Sequence, residues 1–300
     1  MRCANLVTTL LFMLPVVVVH GQVFNNGDIL FTETIEDLFL IQSETGFVVD
    51  LLDNSSDIVF PDQVAVWQDN VYLTESGELY RIDPLNNSVQ FVNDFGSSPR
   101  EMLADNQGNL IVSSFTDGIV SYNLDNNSFT TIYNPGLFAP RDITFASNNA
   151  FYVSDFVDGT GLVTIDGQYE SISNVDYEFL ASSDSGELYG IEGLNDPIVR
   201  IDTVTGQEEI VATGFSFVDD FEVDMNGDLV VLGRYENESG AFRVDLESGE
   251  VVWLTSVLGS VSPRDLTIVR NVTQIPEPSS LVFCVLLGMF GVGTVRRSRT

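Results

Sequence analysis

The chain has 300 residues and a formal net charge of −32; its 12 cationic side chains are all arginine, against 44 carboxylates, and its sole histidine is His20. Without lysine there is no P-loop and no Schiff-base chemistry. Without clustered positive charge, nucleic acid is excluded as a partner, and a 44% hydrophobic content supports a sizeable core rather than disorder.

Residues 1–21 read as a secretory signal peptide. Arg2 supplies the positive start, and Leu6 to Val19 form an apolar stretch. Val19 and Gly21 are small enough to flank a signal peptidase site before Gln22. Cys3 and Cys284 are the only cysteines, so residues 22–273 hold no cysteine, no histidine and no lysine. That body can use neither a Ser-His-Asp triad, nor a cysteine nucleophile, nor His- or Cys-bound zinc. Carboxylate, tyrosine, arginine and hydroxyl chemistry remain.

The body repeats about every 40 residues. One short strand is centred in turn on Leu30, Tyr72, Ile111, Tyr152, Tyr189 and Val230. A second follows on Ile41, Ile82, Tyr122, Ile165, Ile201 and Val244. Asn106-Gln107-Gly108-Asn109, Asp184-Ser185-Gly186 and Asn226-Gly227-Asp228 read as hairpin turns between them. A further strand precedes most repeats: Val64-Ala65-Val66, Met102-Leu103-Ala104, Ile143-Thr144-Phe145, Phe179-Leu180-Ala181 and Phe221-Glu222-Val223. The first repeat lacks it, and a sixth copy, Leu266-Thr267-Ile268, stands after the last. These features predict an all-β, six-bladed β-propeller over 22–273, with residues 264–269 completing the first blade. Pairing the two ends of the chain closes the ring and removes an open sheet edge. The pattern resembles the broad propeller group that includes NHL-repeat and gluconolactonase-like proteins.

The residue before each inner strand is Gln63, Glu101, Asp142, Glu178, Asp220 or Asp265. A ring of such oxygens at a central channel is a candidate site for a hard cation, Ca²⁺ first among them, though no cofactor is required by the sequence. Carboxylates so close would repel unless neutralised, and two neutralisers offer themselves. One is a bound cation. The other is Arg100, Arg141 and Arg264, in the repeated Pro-Arg-Glu/Asp steps. A third reading needs neither, since a polar residue at a strand start also caps local backbone groups. Asp224-Met225-Asn226-Gly227-Asp228 alternates oxygens as Ca²⁺ loops do, but a hairpin turn explains it as well. Tyr72, Tyr152, Tyr189, Trp67 and Trp253 are expected in packing between blades.

Residues 274–300 form a second address. Pro276-Glu277-Pro278 precedes an apolar run, 281–295, that ends in Arg296, Arg297 and Arg299 within 296–299. Fifteen residues make a helix of about 22 Å, short for a bilayer core, and the arginines would stay on the cytoplasmic side. This tail resembles the PEP-CTERM sorting signal. The resemblance implies a bacterial exported protein, held transiently in the membrane by a transmembrane helix. It also implies an exosortase-type enzyme as partner, beside signal peptidase, with cleavage near Pro276 to Pro278. The expectation for the body is a non-enzymatic binding or scaffold propeller at the cell surface or in the extracellular matrix, with an acidic surface for polysaccharide or surface proteins. The alternative is a divalent-metal-dependent lactonase or hydrolase that uses the channel carboxylates.

Overall fold

A computed structural model describes residues 24–33, 38–43, 48–52, 58, 60–86, 88–96, 99–134, 140–147, 150–255 and 263–270. The segment 1–21 expected to be a signal peptide, the adjoining Gln22, and the tail 274–300 with its Pro-Glu-Pro motif and arginines lie outside them.

Short runs of β-branched and aromatic residues, cut by turn residues, form strands throughout. The first three are β1 (Ile29–Glu33), β2 (Leu38–Ile41) and β3 (Val48–Asp50). Blade two is β4 (Val64–Trp67), β5 (Asn70–Glu75), β6 (Glu78–Asp83) and β7 (Ser88–Asp94). Blade three is β8 (Pro99–Ala104), β9 (Asn109–Ser114), β10 (Gly118–Asn123) and β11 (Ser128–Tyr133). Blade four is β12 (Pro140–Ser147), β13 (Ala150–Asp155), β14 (Gly159–Thr164) and β15 (Tyr169–Ser173). Blade five is β16 (Phe179–Ser182), β17 (Leu188–Ile191), β18 (Ile198–Ile201) and β19 (Glu208–Ala212). Blade six is β20 (Phe215–Val223), β21 (Leu229–Tyr235), β22 (Glu238–Val244) and β23 (Val251–Thr255). The last strand, β24 (Pro263–Ile268), pairs with β1 and completes blade one in the order β24-β1-β2-β3. The result is six four-stranded antiparallel sheets, a six-bladed propeller closed by the two ends of the chain.

The closing register sets Ile29 opposite Ile268 and Phe31 opposite Leu266. Below it the Gly27 amide donates to the Val269 carbonyl and the Val269 amide to the Asp28 carbonyl, each at 2.8 Å. Hairpin glycines make the turns possible. Gly227 holds φ +89°, a region that costs an L side chain strain, and Gly118 leaves no room for a Cβ, which would meet the Tyr133 carbonyl at 2.2 Å.

The core lies between blades. Val64, Met102, Ile143, Leu180, Phe221 and Leu266, one from each inner strand, are all buried. So are Leu30, Tyr72, Ile111, Tyr152, Tyr189 and Val230, the six strand centres of the repeat. Each such side chain contributes about 1.5–3 kcal/mol when fully removed from water.

Two positions of the repeat need correction. In blade four the partner of Phe151 is Val163, as Ile82 is of Val71 and Val244 of Leu229. Ile165, expected there, sits in the following turn and is exposed. In blade five Leu180, not Phe179, takes the place of Ile143, because Leu180 opposes Gly190 as Ile143 opposes Val153. The residue equivalent to Asp142 is therefore Phe179, and Glu178 falls one step outside.

Candidate functional site in the central channel

The inner strands run side by side around the channel. Near their starts Glu101, Asp142, Asp220 and Asp265 form a belt. Asp142, Asp220 and Asp265 are buried, and Glu101 is half-buried. Each aspartate bridges two blades. Asp142 accepts the Ile143 amide of its own strand at 2.7 Å and the Leu180 amide of blade five. Asp220 accepts Phe221 N–H at 2.8 Å and, from the closing strand, Leu266 N–H at 2.7 Å. Asp265 accepts Val64 N–H of blade two at 2.5 Å. Glu101 accepts Met102 N–H at 3.0 Å. Gln63, with its amide turned to satisfy both ends, donates to the Arg100 carbonyl at 3.0 Å and to Glu101 Oε2 at 3.3 Å.

Loss of water, chiefly, pushes these carboxyls up. Mutual repulsion adds to it for Glu101 and Asp220, which stand well above the usual carboxylate range. Asp142 is also raised well above that range by burial, against the pull of its two backbone N–H donors. Burial brings Asp265 up to about 8 despite the Val64 amide. Protons and backbone amides thus relieve the belt.

The arginines do not. Arg264 pairs with Asp62, and Arg141 with Glu178 and, at 3.3 Å, Asp176. Arg100 lies over the Phe115 ring at 5.9 Å and Arg141 over Phe156 at 5.0 Å. They line the rim of a cavity of about 360 Å³ at the N-terminal mouth, and Glu178 belongs to that rim rather than to the belt. Among the described residues no three carboxylates are arranged to hold a metal ion. Both oxygens of Asp142 and Asp220, Oδ2 of Asp265 and Oε1 of Glu101 already accept a backbone N–H.

The alternating-oxygen segment at Asp224 is a turn. Asp224 Oδ1 accepts the amides of Asn226 and Asp228 at 2.7 and 3.1 Å, and Oδ2 meets Arg243 at 2.9 Å. Tyr72, Tyr152 and Tyr189 are packed between blades, and Trp67 joins the blade-two and blade-three core. Trp253 is half exposed and stacks on Phe242 at 6.4 Å.

One channel residue escaped the sequence reading. Glu222 opposes the strand centre Val230, at the inner-strand position where the other blades place Ala65, Leu103, Thr144, Ala181 and Thr267. Burial lifts its carboxyl to about 7, against the pull of Arg270. It lines a second cavity, about 380 Å³, at the C-terminal mouth. A carboxylate where every other blade carries a small, apolar or hydroxyl residue was the available signal.

No family model and no curated protein matches the sequence. Solved structures do match. A chain of a nidogen/laminin complex is 13% identical with a TM-score of 0.69, over 82% of this chain and 99% of that one. An inactive histidine-to-alanine variant of virginiamycin B lyase from Staphylococcus aureus, with quinupristin, is 14% identical at 0.56, over 80% and 89%. The calcium-binding protein regucalcin from Agrobacterium tumefaciens is 13% identical at 0.53, over 66% and 74%. At such identities the likeness is one of fold alone: the chain is a six-bladed β-propeller.

Proposed function

We propose that the chain is an exported, non-enzymatic binding propeller, displayed at the cell surface or in the matrix after its two terminal signals are used. Signal peptidase would act before Gln22, and an exosortase-type enzyme would act on the tail around Pro276, Glu277 and Pro278. One observation carries the non-enzymatic reading. Each channel aspartate gives an oxygen to a backbone amide of the next blade, a use that holds the ring together. A catalytic metal would need an open position and uncommitted ligands. The lyase relative is catalytically inactive once a histidine is replaced. Residues 22–273 contain no histidine, which supports leaving that chemistry aside. The acidic surface suits extracellular polysaccharide bridged by divalent cations, or surface proteins, as partners.

The test is a panel of lactones and esters offered to the purified chain with Ca²⁺, Mn²⁺ or Zn²⁺. The expected result is no turnover above buffer. Metal-dependent turnover that Asp142→Asn abolishes would sink the reading and install the hydrolase in its place.

A further inference from the structure

The C-terminal mouth of the channel has a chemistry that the belt does not share. We propose that its cavity binds a small organic cation carrying an apolar ring, an aromatic amine or quaternary ammonium compound. The inference stands apart from the non-enzymatic reading, since it concerns another site.

The cavity is about 380 Å³, within the range of small-molecule sites. All six inner strands reach it. Val66, Leu103 and Ile268 give it apolar walls, and Trp67 and Phe145 give it aromatic ones. Both aromatic side chains are half-buried, so each is packed yet faces open space. Trp67 is seated by the blade-three turn, where a Cβ on Gly108 would stand 3.5 Å from the indole nitrogen. Cations are attracted to such ring faces, and most strongly to tryptophan.

Glu222 supplies the counter-charge. Arg270 lines the same cavity and pulls on Glu222, but its hydrogen bonds go to other groups. Its Nη1 donates to Asp184 Oδ1 at 2.8 Å and its Nη2 to the Val223 carbonyl at 2.5 Å. The net charge of −32 draws cations toward the protein and repels anions. A neutral ligand would gain no charge–charge attraction from Glu222.

The site has a pH signature. Glu222 is faced by Glu101 of β8, Asp142 of β12, Asp265 of β24, Asp220 of its own strand, and Arg270. Its carboxyl titrates at about 7 because it is buried. A bound cation favours the ionised form, so binding expels a proton. Affinity therefore rises about tenfold from about pH 6 to about pH 8.

The test is calorimetric titration of benzyltrimethylammonium into the full chain, with benzyl alcohol as the neutral control. The probe's charge does not change with pH, so any pH dependence belongs to the protein. Saturable binding of the cation alone, about tenfold tighter at the higher pH, is the expected result. Glu222→Gln should remove that pH dependence and weaken binding at about pH 8 by about tenfold or more. Trp67→Leu should weaken it at every pH, and it serves as the decisive variant should Glu222→Gln not fold. Equal binding of benzyl alcohol, no saturable binding at about pH 8, or unchanged affinity in the Trp67→Leu protein would overturn the proposal.

Discussion

The junctions on either side of the closing strand and the junction between blades five and six solve one problem in two ways. At the closing strand, Asp220 holds Leu266 N–H from one side, and Asp265 holds Val64 N–H on the other. At the equivalent place in blade five stands Phe179, which packs into the apolar core of blades five and six. A carboxylate bridge is directional, and it satisfies an amide that would otherwise be buried unpaired. A phenylalanine supplies area without direction. The difference follows from chain connectivity. Asp265 and Val64 are 201 residues apart, so the seam must be specified by contact alone. Blades five and six follow one another in the chain, and apolar packing suffices. Asp142 shows that a latch also serves a continuous junction. What sets β24 apart is that it is latched on both sides.

The sharpest way to break this comparison is to remove the seam. A chain ending at residue 262 loses β24, the partner of β1, and both of the seam's latches. It is expected to show no cooperative thermal transition by circular dichroism, whereas the full chain shows one. A wild-type transition would mean the seam is dispensable.

A smaller effect separates the latch from its charge. Asp265→Ala leaves Val64 N–H without its acceptor and should cost about 1–3 kcal/mol. Asp265→Asn keeps an acceptor and should cost less. The pH dependence has a definite sign. The folded carboxyl, at about 8, holds a proton that the unfolded chain has released above its ordinary pKa of about 4. The stability it contributes is full below about pH 4 and lost as pH climbs through about 8. Calorimetry should find the wild type melting higher at about pH 5 than at about pH 8, with a flatter profile in Asp265→Asn. A melting temperature that rises with pH would contradict the protonated belt.

The smallest effect belongs to the other junction. Phe179 is half-buried, so Phe179→Ala should cost about 1–2 kcal/mol, with the wild-type pH profile unchanged. A changed profile would mean the two junctions are coupled through the belt.

The repeat made most of this ring readable in the sequence. Alternation and turn residues located the strand centres from Leu30 to Val230, and the surplus strand around Leu266 announced how the ring closes. Blade five misled for a physical reason. Phe179, Leu180 and Ala181 are all apolar, so alternation does not fix the register. Glu178 then imitates the acid that the neighbouring blades carry one step further in. Ile165 misled in the same manner, as an apolar residue just past its strand. The belt's acids were legible by position, but not their partners, because nothing in the sequence says which backbone amide in the next blade a carboxylate will meet. Glu222 was hidden in plain view as one polar residue in an apolar triplet, and its environment depends on five other blades.

The closing ladder also has a mechanical consequence. Ile29 and Ile268 form its last strand pair, and the hydrogen bonds of Gly27 and Asp28 with Val269 extend it toward residues 24 and 270, the described ends of the ring. A load that drew those two points apart would meet the Gly27–Val269 and Val269–Asp28 backbone hydrogen bonds first, then Ile29–Ile268, Leu30–Thr267 and Phe31–Leu266, one after another, like a zip rather than a rivet. Tension at the tethers would therefore peel blade one open at modest force, and leave the five blades made from continuous chain to yield later.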